Sequence, residues 1–447
     1  MHMIIIQVLA LIYLIFGIIS IKLYHKFFNP VTIMCGIWSV ILYLSSLCLF
    51  ELCQASINSY FILALGVCFF MIGFTARNLF KKKYRIIIRN SNNTVRHKFS
   101  LRTKLVWALL IFTLVFEFIN AKNSISILSN GGSLDSVLLS VRANASDARG
   151  TITNVINNLI VGPFKFAIVP ICAYHIANKK QKIMSIFVLI LLGIGVISSG
   201  GRVLVIYFIV SLCVSFTISH KRHTFSVDVI KRIKKQKKRF VILILFVLFI
   251  FILLSISRSG ERLIQHTYLY FSMQPIMFET WTQNIKERGL YGCGEAALNG
   301  FTFHFLYLIK NIFSIPFPKH WYDVFNSIML VDTNWKPITT YGLPANAYVS
   351  AFWYFYLDAR IIGVILESFI WGWCCANVFK NAVNNPNIKN ICLYSMFLFS
   401  VVDSYVRIRF ATSDFVGGLL LMYFIFFRKK VCVEREEYEN INCCSSL

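Results

Sequence analysis

The chain has 447 residues, of which 57% are hydrophobic and only 14% charged, with a mean hydropathy of +0.66. A soluble domain carries about 25% charged residues, so this composition excludes a globule that faces water on all sides. A net charge of +26 would suit nucleic acid, but the basic residues sit in short segments between apolar runs, where charge orients a protein in a bilayer.

The first apolar run, Ile4 to Ile21, has no Lys or Arg before it and is followed by Lys22, His25 and Lys26. A cleavable signal has the reverse order and a small-residue cleavage site, so a retained first span is expected. A bilayer core takes about 20 apolar residues per helix. Runs of that kind predict eleven spans, at 3–22, 31–50, 59–76, 105–121, 158–177, 183–198, 203–219, 240–256, 360–379, 389–406 and 411–427. The fold expected is therefore all-α, one integral membrane domain over 1–447.

Loop charge tests the alternation. Six segments fall on one side: 22–30, 77–104, 178–182, 220–239, 380–389 and the tail 428–447. Together they hold 30 of the 45 Lys and Arg residues. The positive-inside rule places them in the cytoplasm, with the N-terminus outside and the C-terminus inside. The other fifteen basic residues include nine arginines: Arg142, Arg149, Arg202, Arg258, Arg262, Arg288, Arg360, Arg407 and Arg409. On the cytoplasmic side Lys outnumbers Arg twenty to ten. Topology needs only charge, whereas phosphate recognition favours the planar Arg fork. The outer face thus reads as a surface for an anion, with pairing to acids such as Asp358 or Asp403 accounting for part of the excess.

Two outer segments are long. The loop 122–157 carries Gly131-Gly132-Ser133 and then Leu134, Val137, Leu138 and Val141 at the spacing of an amphipathic helix, with Arg142 beside the stripe. The loop 258–358 holds seven basic and seven acidic groups and many aromatics, as in Phe301 to Phe317 and Phe352-Trp353-Tyr354-Phe355-Tyr356. It predicts a half-buried lid of interfacial helices, with a re-entrant pair at 301–317 as the alternative. The thirteen cysteines have no metal-ligand spacing, and only Cys53 and Cys293 fall in outer loops.

No Walker loop, Rossmann glycine pattern, HExxH or GxSxG is present. The cytoplasmic loops are too small for a nucleotide-sugar domain, so chemistry belongs to the outer face, without ATP or nucleotide sugar, and needs a substrate that arrives activated. In Ser198-Ser199-Gly200-Gly201-Arg202 two glycines let the backbone approach a ligand, and an Arg opens the next span. A tight hairpin with a snorkelling Arg is the competing reading. Ser257-Arg258-Ser259-Gly260-Glu261-Arg262 puts two arginines four apart, at helix spacing, and Arg202 and Arg258, at the same depth on sequence-adjacent hairpins, read either as a two-Arg clamp on one diphosphate or as members of surface salt bridges. Tyr356-Leu357-Asp358-Ala359-Arg360 leads into span nine, and Asp403-Ser404-Tyr405-Val406-Arg407 lies near the outer end of span ten, where Asp403 and Arg407 are spaced to pair. His266 and His304 are the outer histidines placed to exchange protons, and His304, Glu279 and Asp358 are the candidate catalytic bases. Glu117, Lys165 and Glu367 are mutually pairable within the membrane and read first as helix glue.

The outer GGS…R segment, SSGGR between central spans, SRSGER opening the large loop and YLDARIIG entering the next span resemble the Wzy-type O-antigen polymerases, the oligosaccharide repeat unit polymerases, over roughly 100 to 430. The family commonly has a pattern like YxDFGxxG at the last place; here Ala359-Arg360 stands where Phe-Gly would be. The resemblance implies a GT-C-like fold in the bacterial inner membrane and a metal-independent glycosyltransferase reaction at the periplasmic face. Undecaprenyl-diphosphate-linked oligosaccharide would serve as donor and acceptor. It also admits a chain-length regulator protein as a partner, beside membrane lipid and without nucleic acid. It implies Arg202 and Arg258, with Arg262 next, as substrate-binding arginines; Gly200, Gly201, Arg142, Arg360, Asp403 and Arg407 complete the candidate binding set. An O-antigen ligase, a lipid-linked oligosaccharide flippase and a non-enzymatic scaffold are the alternatives. Reporter fusions after Lys83, Lys180 and Lys237 are expected to read cytoplasm, and fusions near Gly132 and Asn299 periplasm. A cytoplasmic signal at Asn299 would overturn the span count.

Overall fold

The computed structural model describes residues 2–84, 96–131, 151–199, 201–219 and 263–432. The described chain is helical apart from two short two-stranded ribbons. Helix α1 (His2–Tyr24) buries Ile6, Ala10, Tyr13 and Ser20 along one stripe and exposes Ile4, Val8, Leu11, Ile15, Phe16 and Ile19. This is the pattern of a helix with one face on protein and the rest in hydrocarbon. Helix α2 (Pro30–Leu47) starts on a side-chain cap: Asn29 Oδ1 accepts from the Thr32 amide at 2.9 Å, and Pro30 takes the first turn, where no amide donor is needed. Helix α3 (Ile57–Tyr84) follows, then strand β1 (Arg96–Leu101) and helix α4 (Thr103–Ser129). Helix α5 (Thr151–Ile156) passes through a π-turn at Asn157–Val161 into α6 (Gly162–Ala177). Helices α7 (Lys182–Ser199) and α8 (Val203–Ser219) form the next hairpin.

Past residue 262 the helices are short: α9 (Leu263–Tyr270), α10 (Gln274–Arg288), α11 (Asn299–Phe313) and α12 (Lys319–Thr333). The two-residue strands β2 (Lys336–Pro337) and β3 (Pro344–Ala345) pair antiparallel. Helices α13 (Ala351–Asn384), α14 (Ile388–Val402) and α15 (Ser413–Leu420) complete the bundle, and β4 (Phe427–Cys432) pairs antiparallel with β1, Leu101 opposite Phe427. Six of the described helices are long and apolar enough to cross a membrane, and shorter apolar ones accompany them, so the chain is a polytopic α-helical membrane protein.

The contacts sort into two ends. At one, Lys26 donates to the Thr217 carbonyl at 3.0 Å, Asn178 to Ser219 at 3.2 Å and Lys389 to the Tyr423 carbonyl at 3.0 Å. At the other, the Cys53 amide donates to Ile338 O at 2.8 Å, Tyr268 to Leu44 O at 2.8 Å and Ser124 to Ser198 O at 3.3 Å. These ends are the two sides that the charge alternation predicts. The predicted span 240–256 lies outside the described residues, as does the amphipathic helix expected at 134–141.

Two apolar cores share α14. Ile391, Tyr394, Leu398 and Val401 face the core of α1, α2, α3 and α13, while Cys392, Met396 and Phe399 face that of α4, α6, α7, α8 and α15. The closest packing joins α3 to α13. A methyl group on Gly73 would overlap the Phe369 carbonyl, and one on Gly372 the Phe70 carbonyl. Small residues of this kind let helix backbones touch where no hydrophobic effect drives them together.

One expectation changes. The aromatic run Phe352 to Tyr356 is not interfacial: all five side chains are buried, with Phe352 against Trp38 and over Gly66. It forms the first part of α13, which bends at Ala359 (φ −149°, ψ 37°) and Arg360 (φ 55°, ψ −138°). Beyond the bend Gly363 lies against the Phe355 carbonyl, so the chain folds back there and a second helical stretch begins near the start of the predicted span 360–379. The segment 301–317 is the 15-residue helix α11 plus a turn through Ser314 (φ 57°), followed by the 15-residue α12. At about 1.5 Å per residue neither helix reaches across a bilayer. Gly372→Val is expected to remove the protein from the membrane fraction, because overpacking against backbone costs about 3 kcal/mol. Gly36→Ala, which meets no atom within 4 Å, should accumulate like wild type on the same blot.

Candidate functional site

At the Ser124–Ser198 end, α4 buries one stripe, Val106, Leu110, Thr113, Glu117, Ala121 and Ser124. This puts Glu117 inside the bundle. Its Oε1 is 2.6 Å from Lys165 Nζ of α6, and its Oε2 accepts from the Ser198 hydroxyl at 2.8 Å. A buried carboxylate with a half-buried ammonium on one oxygen and a hydroxyl donor on the other satisfies the conditions under which a charge persists away from water. Ser198 opens the SSGGR motif, and Arg202, which ends it, starts α8 by accepting from the Val205 and Ile206 amides, both at 3.1 Å. Its side chain is half-buried. The glycine motif therefore begins on the ion pair and ends on an arginine.

The corner is closed by α15 and α11. Asp414, in the first turn of α15, lies against Gly162 at the start of α6, within electrostatic reach of Lys165 first, then His304, Arg409 and Glu117. Three residues on, Gly417 leaves room for the His304 ring, whose Nε2 is 2.7 Å from where a β-carbon would stand. His304 Nδ1 lies 2.7 Å from the Gly300 carbonyl. A carbonyl only accepts, so Nδ1 carries the hydrogen and the neutral ring presents its lone pair at Nε2. That Nε2 is buried and has no hydrogen-bond partner among the described residues. A fixed tautomer with a free basic nitrogen beside a carboxylate is the arrangement of a general base.

The other predicted bases are used structurally. Asp358 Oδ1 and Oδ2 accept from the Ala296 and Ala297 amides, each at 2.8 Å, while its own carbonyl accepts from Cys293 N at 3.1 Å. This clamps the 292–297 turn onto the bend of α13. Glu279 accepts from the Ser56 amide and the Ser59 hydroxyl, capping the start of α3 from another helix. Glu367 turns to Asp358 rather than to Lys165. His266 lies beside Tyr270, ring centroids 6.5 Å apart.

The predicted arginines divide. Arg258, Arg262, Arg142 and Gly200 lie outside the described residues. Gly201 is described, half-buried immediately before Arg202. Arg407 does not pair with Asp403: it forms a two-pronged bond to Asp332, at 2.8 and 2.6 Å, and Asp403 pairs instead with Arg409 at 2.7 Å. The Arg407 amide still donates to the Asp403 carbonyl at 3.0 Å, but the Asp403 carboxylate is taken by Arg409. Burial alone disfavours the Arg407 charge, but Asp332 outweighs it and holds the guanidinium above its ordinary range. Arg360 donates to Leu290 O at 2.7 Å and sits over the Tyr291 and Tyr356 rings, at 4.2 and 5.5 Å. Sequence reasoning did not combine Glu117, Lys165, Ser198 and Asp414 into one site. The signal was present in the cost of intramembrane charges, but only the fold shows which of them meet. Among the described residues no group of three or more His, Cys, Asp or Glu is arranged to hold a metal ion. Comparisons with protein-family models, curated proteins and solved structures find no match.

Arg360 occupies a backbone conformation that favours glycine, which costs a side chain about 1–3 kcal/mol. Arg360→Gly relieves that strain while losing one hydrogen bond and the ring contacts, of similar size. Its melting temperature in detergent should stay near wild type. Arg360→Val, β-branched and without the compensating contacts, should melt well below it. A wild-type melt for the valine variant would place the bend's strain elsewhere.

Proposed function

We propose that this protein is a membrane glycosyltransferase that polymerises undecaprenyl-diphosphate-linked oligosaccharide repeat units into O-antigen. It acts at the periplasmic face of the bacterial inner membrane, in a bundle of about eleven spans of GT-C-like arrangement. The observation that carries the reading is His304: a buried imidazole whose tautomer is set by the Gly300 carbonyl and whose free Nε2 faces the Asp414 corner. This is a proton acceptor on the side of the membrane where the outer arginines gather.

The chemistry follows from charge. A hydroxyl of the incoming repeat unit attacks the anomeric carbon of the growing glycan, forming a C–O bond as the bond to the diphosphate breaks. The hydroxyl proton passes to His304 Nε2, and Asp414 stabilises the imidazolium. The lipid diphosphate leaves with the bonding electron pair. Its growing charge is met by Arg202 at the head of α8 and by the expected second arm, Arg258 and Arg262. The diphosphate already activates the donor, so the proposed reaction draws on no nucleotide.

The test compares variants in a gene-deletion strain, scoring protein by blot and chain length by the lipopolysaccharide ladder. Deletion should leave core lipid with at most one repeat unit; complete loss of surface O-antigen would indicate ligation or transport instead. His304→Ala and His304→Gln should accumulate normally yet give single-unit product, since a positioned base contributes about 10²–10⁴ in rate. A full ladder from His304→Ala removes the base assignment. Arg202→Ala should give single-unit product and Arg202→Lys shortened chains, because Lys keeps the charge and loses the fork; a lost charge contact of this kind costs about a hundredfold. A full ladder from Arg202→Ala moves the diphosphate to Arg258 and Arg262.

A further inference from the structure

Strands β1 and β4 join the start of α4 to the segment that follows α15, at the end of the bundle where Lys389 meets the Tyr423 carbonyl. Their register sorts the residues by type. Phe99 and Leu101 of β1 and Phe427 of β4 lie on one face and pack against the core of α4, α6, α7, α8 and α15. Alternate residues of a strand take opposite faces, so Arg96, Lys98 and Ser100 share the other face with Arg428 and Lys430. Arg428 is exposed, and so is Arg102, whose amide extends the ladder to the Phe426 carbonyl at 2.9 Å.

Lys98 stands directly opposite Lys430. Like charges across a ribbon oppose its pairing, and no acid of the described bundle end relieves them. The segments that build it, 22–30, 68–116, 166–219, 368–402 and 415–432, contain no Asp or Glu. Orienting a protein in a bilayer asks only for cations near the end of a span. It does not ask for two of them opposite each other on a folded ribbon. An anion held between them turns that repulsion into attraction. The surroundings identify the anion's class. Tyr423, Phe424 and Ile425, just before β4, and Leu105, three residues past Arg102, are exposed apolar groups. Cations at the rim of a hydrocarbon-facing surface meet phospholipid headgroups, whose chains cover the apolar groups beside them. A soluble phosphate would leave those groups bare.

We infer that the basic face of the β1–β4 ribbon is a binding site for the phosphate headgroups of anionic phospholipid in the leaflet at that end. The ribbon ties the foot of α4, which carries Glu117, to the foot of α15, which carries Asp414. Lipid charge thereby steadies two of the helices that build the His304 corner. The site stands apart from the proposed reaction and needs no glycan substrate.

The test is native mass spectrometry of the full-length protein in detergent, with phosphatidylglycerol and phosphatidylcholine of equal chain length in competition, beside thermal melts with each lipid. Wild type should retain phosphatidylglycerol over phosphatidylcholine, and only phosphatidylglycerol should raise the melting temperature. Lys98→Thr with Lys430→Thr should weaken retention roughly thirtyfold, the share of two surface cations, and abolish the melting shift. Lys179→Gln with Lys180→Gln, both exposed at the same end, should leave retention and shift unchanged. Inorganic pyrophosphate should not displace the lipid. Without lipid, the threonine pair should melt above wild type, because the repulsion across the ribbon is gone. Equal loss from the Lys179 and Lys180 pair would mean that any cation at this end serves, and would overturn the site. So would displacement by pyrophosphate, or a threonine pair that melts below wild type without lipid. The tail supplies the competing anion in Glu434, Glu436, Glu437 and Glu439. If changing these four to Gln creates a phosphatidylglycerol preference that wild type lacks, the face belongs to the chain's own tail and the assignment fails.

Discussion

The contact on which the rest depends is the backbone-to-backbone approach of α3 and α13. Gly73 and Gly372 each sit against a carbonyl of the other helix, so neither position holds a side chain without moving main chain. In a bilayer the solvent is as apolar as the side chains, and close packing replaces the hydrophobic effect as the force between helices. With α13 pinned to α3 along this seam, its first turns run beneath Trp38 and Trp281. The chain then reverses at Ala359 and Arg360. Asp358 stands at that reversal and fastens the 292–297 turn by two backbone amides, which sets where α11 begins. The position of His304 thus traces back, link by link, to a pair of glycines.

Charge in the described bundle is organised by neutralisation. Lys165 has Glu117, Arg407 has Asp332 and Arg409 has Asp403, each pair within 2.7 Å. A buried charge without such a partner costs several kcal/mol, so pairing is what the membrane demands and carries no functional message by itself. His304 differs because a neutral imidazole stays uncharged while its basic nitrogen goes unpartnered.

Much of this was legible in the sequence. The membrane character of the helices was readable in apolar runs of about 20 residues, because burial in hydrocarbon reflects the transfer of single groups out of water. The intramembrane charges Glu117 and Lys165 were marked as partners for the same reason. The Arg excess of the outer face was also visible, but its division was not. Arg407 was spaced to reach Asp403; the fold instead brings it to Asp332, 75 residues away in the chain, and gives Asp403 to Arg409.

The sequence by itself determined that this chain lies in a membrane, roughly where it crosses, and which residues are too costly there to be incidental. These are local properties, set by composition over one helix length. The tertiary structure alone decided that Asp358 and Glu279 are held by backbone amides of distant segments while the His304 ring is held by the Gly300 carbonyl four residues before it. A carboxylate's readiness as a base depends on whether backbone amides have already claimed it, and those amides come from segments 61 and 62 residues from Asp358 and 223 from Glu279. It also decided that the aromatic run before the bend is core, because burial there comes from α2, α3 and α10 closing around it and not from its own hydrophobicity.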